Sequence, residues 1–197
     1  MTLNERISEL TRSYRPLAIE ILNHLQLGLQ LLSIAFMPGF AFSVSATTLV
    51  GQELGRDAPD RAEACAVTTG WMTFAVMCSM GTAAFLAAEQ VLHAFTGDSE
   101  VIRQGLYAVR VGALMQPPLA WYFVLGGALR GAGDTAYVLL AQSLPIWLIR
   151  VPLAFLLGLA LGFGLSGVWV AMVLDMTGRA MLLMVRFRKG RWKQLRV

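Results

Sequence analysis

About five long apolar runs, separated by short polar turns, constrain the fold of this chain more than any other feature. Each run comes close to the roughly 20 residues that a helix needs to cross a bilayer. Charged residues make up only 14% of the chain, whereas a soluble domain carries about 25%. The sequence therefore predicts an all-α, polytopic membrane helix bundle, with spans near residues 22–50, 64–92, 101–129, 137–161 and 165–185.

Basic residues cluster directly after the last apolar run, and they predict the orientation of the chain. They are Arg186, Arg188, Lys189, Arg191, Lys193 and Arg196. Lys and Arg are enriched on the cytoplasmic side of membrane proteins. We therefore expect a multi-pass protein of the inner (plasma) membrane whose C-terminus lies in the cytoplasm.

The distribution of apolar and charged residues divides the chain into three segments. Residues 1–20 carry apolar side chains at helical spacing, which predicts an amphipathic segment. This segment is either a helix lying in the membrane interface or a remnant without a stable partner. Residues 21–186 are predicted to form the transmembrane helical lobe, and residues 187–197 a basic cytoplasmic tail.

Short polar turns join the apolar runs, and some contain residues that favour helix N-termini. Asp134 is predicted to cap the fourth helix, and either Asp98 or Ser99 the third. The turns are too short to hold an additional domain.

The sequence lacks the motifs of common enzymes and of nucleic-acid-binding proteins. It contains no Gly-rich phosphate loop followed by Lys, no zinc-ligand spacing and no nucleophile elbow. Its positive charge comes largely from the tail, and outside the tail the sequence contains no basic stripe with interleaved aromatic residues. We therefore expect no catalytic residues, no metal site and no nucleic-acid partner.

Two charged residues are predicted to lie near the middle of the membrane, where an unpaired charge is costly. Arg150 and Asp175 each lie about ten residues from the predicted external end of their span, or near 15 Å depth at about 1.5 Å per residue. Neighbouring antiparallel helices could bring them together as an ion pair. The pair would either fix helix register or act as a charge relay or ligand contact.

Polar, sulfur-containing and aromatic residues interrupt the first and third runs, next to prolines. Such a mixture suits adaptable binding of large apolar cations, although ordinary packing at a kink is the alternative for each residue. The candidate cavity residues are Gln26, Gln30, Ser33, Met37, Met115, Gln116 and Tyr122, and the predicted kinks lie at Pro38, Pro117 and Pro118.

Several segments resemble the multidrug and toxic compound extrusion (MATE) family, in that family's order and spacing. They are SIAFMPGF at 33–40, TLVGQELG at 48–55, GALRGAGDT at 127–135, IRVPLA at 149–154 and GVWVA at 167–171. Each segment alone is a modest match, but together they are specific.

The resemblance implies a twelve-helix, two-lobe secondary antiporter that exports small organic cations against a proton or sodium gradient. It places this chain in the second lobe, from the eighth helix to the twelfth, and leaves the first lobe outside this sequence. The implied partners are the bilayer and either a missing N-terminal lobe or a second chain. Because transporters of this kind rock two lobes around a cavity, we expect no transport by this chain alone.

Two other functions are compatible with the same residues. A lipid-linked oligosaccharide flippase of the same superfamily would share the lobe, but it should have a more cationic cavity than Arg150 alone provides. A structural or non-functional membrane fragment is the other. The coupling ion also stays open: Leu119 stands where the resemblance places an acidic residue in many sodium-coupled members, so sodium coupling through this lobe is not expected.

Overall fold

The computed structural model describes residues 36–95 and 99–194, which form helices joined by short turns and contain no strand. The chain divides into two compact units, Met1–Met37 and Pro38–Val197, and the contacts below are those of the second. The all-α prediction is therefore confirmed for the described residues. The main helices are α1 (36–55), α2 (Pro59–Phe95), α3 (Ser99–Leu114), α4 (Gln116–Gly131), α5 (Thr135–Pro145), α6 (Val151–Phe155) and α7 (Gly164–Arg188).

Three of the described helices are long and apolar enough to cross a membrane. They cover Pro59–Gln90, Thr135–Ala160 and Gly167–Arg188, and they confirm the predicted second, fourth and fifth runs. The fourth run is helical without interruption from Thr135 to Ala160. A π-helical turn at Ile146–Arg150 joins α5 to α6, and a second one at Leu156–Ala160 follows α6. Helix α1 extends past the predicted end of the first run to residue 55, and the start of that run lies outside the described residues.

The predicted third run is divided into α3 and α4 at Met115. Pro117 and Pro118 occupy the first turn of α4, where a missing N–H is tolerated. Because proline has no N–H, the carbonyl groups of Ala113 and Leu114 lose the donors that a continuous helix would provide. The chain therefore breaks where the double proline predicts a kink.

Helices α1 and α4 approach each other closely along small residues spaced one turn apart. Ser43 Oγ donates a hydrogen bond to the Phe123 carbonyl at 2.8 Å, and Thr47 Oγ1 donates to the Gly127 carbonyl at 3.0 Å. A Cβ atom at Gly127 would overlap the Ser43 carbonyl, and one at Gly131 would overlap the Thr47 carbonyl. Glycine at these two positions is what lets the two backbones pack directly together.

An apolar core lies at the end of the bundle where the α1–α2 turn, the α4–α5 turn and the chain after α7 meet. The 3₁₀ turn Arg191–Gln194 packs Trp192 into this core, fully buried. The core includes Val50, Ala62, Ala66, Leu125, Leu129, Val138, Leu183, Phe187 and Trp192. Part of the predicted basic tail is thus a structural element of the lobe.

Asp134 occupies the predicted N-cap position of α5, but its side chain does not cap the helix. Its carboxylate makes no capping hydrogen bond and instead accepts one from Arg186 Nε at 2.6 Å. A charge-assisted bond between ionised groups is roughly twice as strong as a neutral one, so the arginine prevails over the backbone amides of α5. The alternative caps at Asp98 or Ser99 lie outside the described side chains.

We predict that Gly127→Ala destabilises the lobe, since the added methyl group must push α1 away from α4. Overpacking of this kind typically costs about 1–3 kcal/mol. The thermal unfolding temperature of the detergent-purified chain should fall. Gly112→Ala is the matched control, because a Cβ atom there meets nothing within 4 Å. Equal unfolding temperatures for the two variants would contradict the close crossing of α1 and α4.

Candidate functional site

An open cleft of 240 Å³ lies between the start of α4 and the middle of α7. Helix α4 contributes a double proline and a tryptophan, and α7 contributes residues that lie on one face at helical spacing. The lining residues are Pro117, Pro118, Trp121, Thr177, Ala180, Met181 and Met184. The hydroxyl of Thr177 is bonded to the Val173 carbonyl at 2.8 Å, so the wall is effectively apolar.

Aromatic contacts hold the tryptophan of the cleft in place. The rings of Trp121 and Trp71 meet edge to face, with centroids 5.5 Å apart, and Trp71 meets Phe74 in the same way at 5.7 Å. Such pairs add about 0.5–1.5 kcal/mol to the effect of burial. Opposite this fixed ring, Met181 is 63% exposed. The cleft therefore combines a rigid aromatic wall with a flexible thioether wall.

The predicted cavity residues of the third run do not line this cleft. Met115 and Gln116 are buried, and Gln116 lies against Gly81 of α2, where a Cβ atom would meet its Cγ at 2.8 Å. Tyr122 is half-buried against the apolar core. Helical rotation explains the difference, because residues one or two positions apart point in different directions. The neighbouring Trp121 is the aromatic residue that faces α7.

The predicted cavity residues of the first run fall almost entirely outside the structure's described part. Gln26, Gln30 and Ser33 lie outside the described residues, and Met37 is exposed where the description begins. The predicted kink at Pro38 coincides with the boundary between the two compact units, and its bend stays a prediction. Sequence reasoning missed Thr177, Met181 and Met184, although their spacing on one face of the last run was a usable signal.

The intramembrane carboxylate Asp175 is paired with Arg179 and not with Arg150, which corrects the predicted pair. Arg179 Nη2 lies 2.7 Å from Asp175 Oδ2, and Arg179 Nε lies 3.0 Å from Oδ1. Both residues are buried, Asp175 completely. Arg150 Nη2 instead lies 3.8 Å from the Met172 sulfur.

Local geometry explains the choice of partner. Arg179 lies one turn after Asp175 on the same helix, the spacing at which side chains meet without any rearrangement of neighbouring helices. Its planar guanidinium can bond both carboxylate oxygens at once. The pair does not line the cleft, because Thr177, Ala180 and the other cleft residues lie on the opposite face of α7 at about 100° per residue.

Comparisons with known proteins agree with this architecture. The family model described as MatE matches residues 18–156. A probable multidrug resistance protein NorM from Thermotoga maritima is 31% identical over 170 residues, which are 86% of this chain and 36% of that protein. The multidrug resistance protein MdtK of Yersinia pestis is 29% identical over 179 residues, covering 88% of this chain and 39% of its own length.

One solved structure shares the fold. It is described as the inward-facing conformation of a multidrug resistance MATE family transporter of the MOP superfamily. It matches with a TM-score of 0.69 at 20% identity, over 78% of this chain and 34% of that one. This chain therefore spans between about a third and two fifths of the length of the relatives that it matches.

We predict that Asp175→Ala and Arg179→Ala each destabilise the lobe strongly, because each leaves one buried charge without its partner. Breaking a buried pair in this way costs about 3–5 kcal/mol. The double variant should recover part of that loss, as measured by thermal unfolding in detergent. The matched control combines Asp175→Ala with Arg150→Ala, and it should recover none of the stability that Asp175→Ala loses. Recovery in the control alone would restore the originally predicted pair.

Proposed function

This chain belongs to the MatE family, and on that premise we propose that it forms the second lobe of a multidrug efflux transporter. Members of the family are multi-pass membrane transporters, and the apolar helices described above have the length that a bilayer requires. The names of the NorM and MdtK relatives support multidrug efflux. This chain covers 36% and 39% of the length of these two relatives, which is consistent with one lobe of a two-lobe transporter.

We propose organic cations as the substrates, and the composition of the α4–α7 cleft is the observation that carries this proposal. Trp121 offers a fixed aromatic face, and a cation over tryptophan gains up to about 2 kcal/mol when it is desolvated. The exposed thioether of Met181 can adapt to ligands of different shape.

The cleft is too small and too open to enclose a drug-sized ligand by itself. Drug-sized ligands occupy pockets of about 300–1,000 Å³ and are mostly enclosed by them. The cleft holds 240 Å³ and is open on one side. A drug bound there would stay uncovered on one side, and an opposing lobe would supply the second surface. Rocking of the two lobes would then expose the ligand to each side of the membrane in turn.

The coupling ion is proposed to bind outside the described part of this lobe. Leu119 is buried and apolar at the position where an acidic residue would support sodium coupling. Asp175 is already engaged by both oxygens with Arg179. We therefore expect a proton or sodium gradient to act through groups in the rest of the transporter.

We also propose that the transporter lies in the inner membrane, with the C-terminus of this lobe in the cytoplasm.

Binding of tetraphenylphosphonium to the purified chain tests the role of the cleft. Trp121→Ala should weaken binding about tenfold, because it removes the aromatic face that attracts the cation. Equilibrium dialysis with labelled ligand measures the dissociation constant. Trp147→Ala is the matched control, since Trp147 is 71% exposed on the span Thr135–Ala160 and does not line the cleft. Equal losses in the two variants would contradict a site at Trp121.

A further inference from the structure

The end of α7 carries a group of basic side chains that divides into two sets. Arg186 is bonded to Asp134 at 2.6 Å, and Lys193 Nζ lies 3.1 Å from Asp60 and 2.5 Å from Glu63. The remaining set, Arg188, Lys189 and Arg191, is exposed and has no carboxylate partner among the residues that the structure describes. We call these last three residues the basic turn.

The basic turn is anchored on both sides. Gly190 adopts φ of +65°, a conformation that ends the helix and turns the chain back towards the lobe. Trp192 then stacks on Phe187 with ring centroids 4.9 Å apart, and its Nε1 donates to the Phe187 carbonyl at 2.8 Å. The backbone of the basic turn is therefore fixed by a fully buried tryptophan only one residue further on.

Lys193 strengthens this anchor. The hydrogen bond that it donates to Glu63, together with the one to Asp60, raises the pKa of Lys193 above its ordinary value. Its ammonium group is thus charged at neutral pH and tied to the start of α2. Because Lys193 and Arg186 already have carboxylate partners, the uncompensated positive charge among the described residues at this end of α7 is that of the basic turn.

We propose that the basic turn binds the phosphate of an anionic phospholipid headgroup. The helix Gly167–Arg188 is long and apolar enough to cross a membrane, and it ends at this turn. In a bilayer the basic side chains would therefore lie at the level of the lipid phosphates. Guanidinium groups bond phosphate oxygens in a bidentate manner, and a lysine nearby adds a point charge. Clusters of basic residues directly after a membrane helix favour anionic lipids for this reason.

The neighbouring α1–α2 turn shows what distinguishes the basic turn. It lies at the same end of the lobe, because Asp60 and Glu63 meet Lys193 there. Its Arg56 is bonded to Glu53 at 2.7 Å, and the exposed carboxylates of Asp57 and Asp60 surround Arg61 in sequence. Glu53, Asp57 and Asp60 outnumber the two arginines in that turn, so it offers less attraction to a lipid phosphate.

The test measures binding of phosphatidylglycerol and phosphatidylcholine to the detergent-purified chain by native mass spectrometry. The wild type should prefer phosphatidylglycerol. In the variant Arg188→Gln/Lys189→Gln/Arg191→Gln the preference should fall at least about tenfold, since each basic residue near an anionic surface contributes roughly fivefold. Arg56→Gln/Arg61→Gln is the matched control and should keep most of the preference. A preference that survives in the triple variant, or falls equally in the control, would overturn the proposal.

Two further measurements separate a formed lipid site from diffuse charge attraction. Trp192→Ala keeps every basic side chain but releases the anchor, so the preference should fall several-fold. An unchanged preference in that variant would overturn the role of the fixed turn. Inorganic phosphate at millimolar concentration should not displace phosphatidylglycerol, and displacement would point to a free anion as the ligand. Unaltered thermal unfolding of the triple variant, expected because its side chains are exposed, shows that its lobe is folded.

Discussion

The close crossing of α1 and α4 is the contact on which the rest of the lobe depends. Inside a bilayer, apolar surface provides little drive for helices to associate, so close packing and interhelical hydrogen bonds must supply it. Ser43 and Thr47 bond the carbonyls of α4 directly, and Arg130 Nη2 donates to Ser43 Oγ at 3.0 Å. With α4 fixed in this way, its double-proline start lies beside α7 and forms the cleft, while its other end builds the apolar core.

Pairing of charges is the second constraint. Such pairs lie in the middle of α7 and at its end. In the middle of α7, Asp175 and Arg179 neutralise each other within one helix. At the end of α7, Arg186 and Lys193 hold the α4–α5 turn and the start of α2. The first pair keeps a buried charge from destabilising the lobe, and the second set fixes the end of the chain. Among the described basic residues at the end of α7, those of the basic turn have no carboxylate partner, and we propose that lipid phosphates take that place.

The sequence predicted the helical class, three of the spans and the break at Pro117 and Pro118, because these follow from hydropathy, length and the missing N–H of proline. It did not predict which side chains meet. Arg150 and Asp175 have suitable depths, but depth does not determine the rotation of a helix, and Arg179 was closer along the same helix. The same limit applies to three other features: the contact of Gln116 with α2, the face of α7 that lines the cleft, and the burial of Trp192. Each depends on how a helix is rotated about its axis, which a nearly uniform apolar run does not determine.

The most direct test of the account is gradient-driven accumulation of tetraphenylphosphonium in proteoliposomes that contain this chain alone, beside a full-length relative as the control. If the chain is one lobe of a two-lobe transporter, it should bind the cation yet accumulate none under either a proton or a sodium gradient, whereas the full-length relative should accumulate it. Gradient-dependent accumulation by this chain alone, abolished by Trp121→Ala, would contradict the claim that an opposing lobe is required.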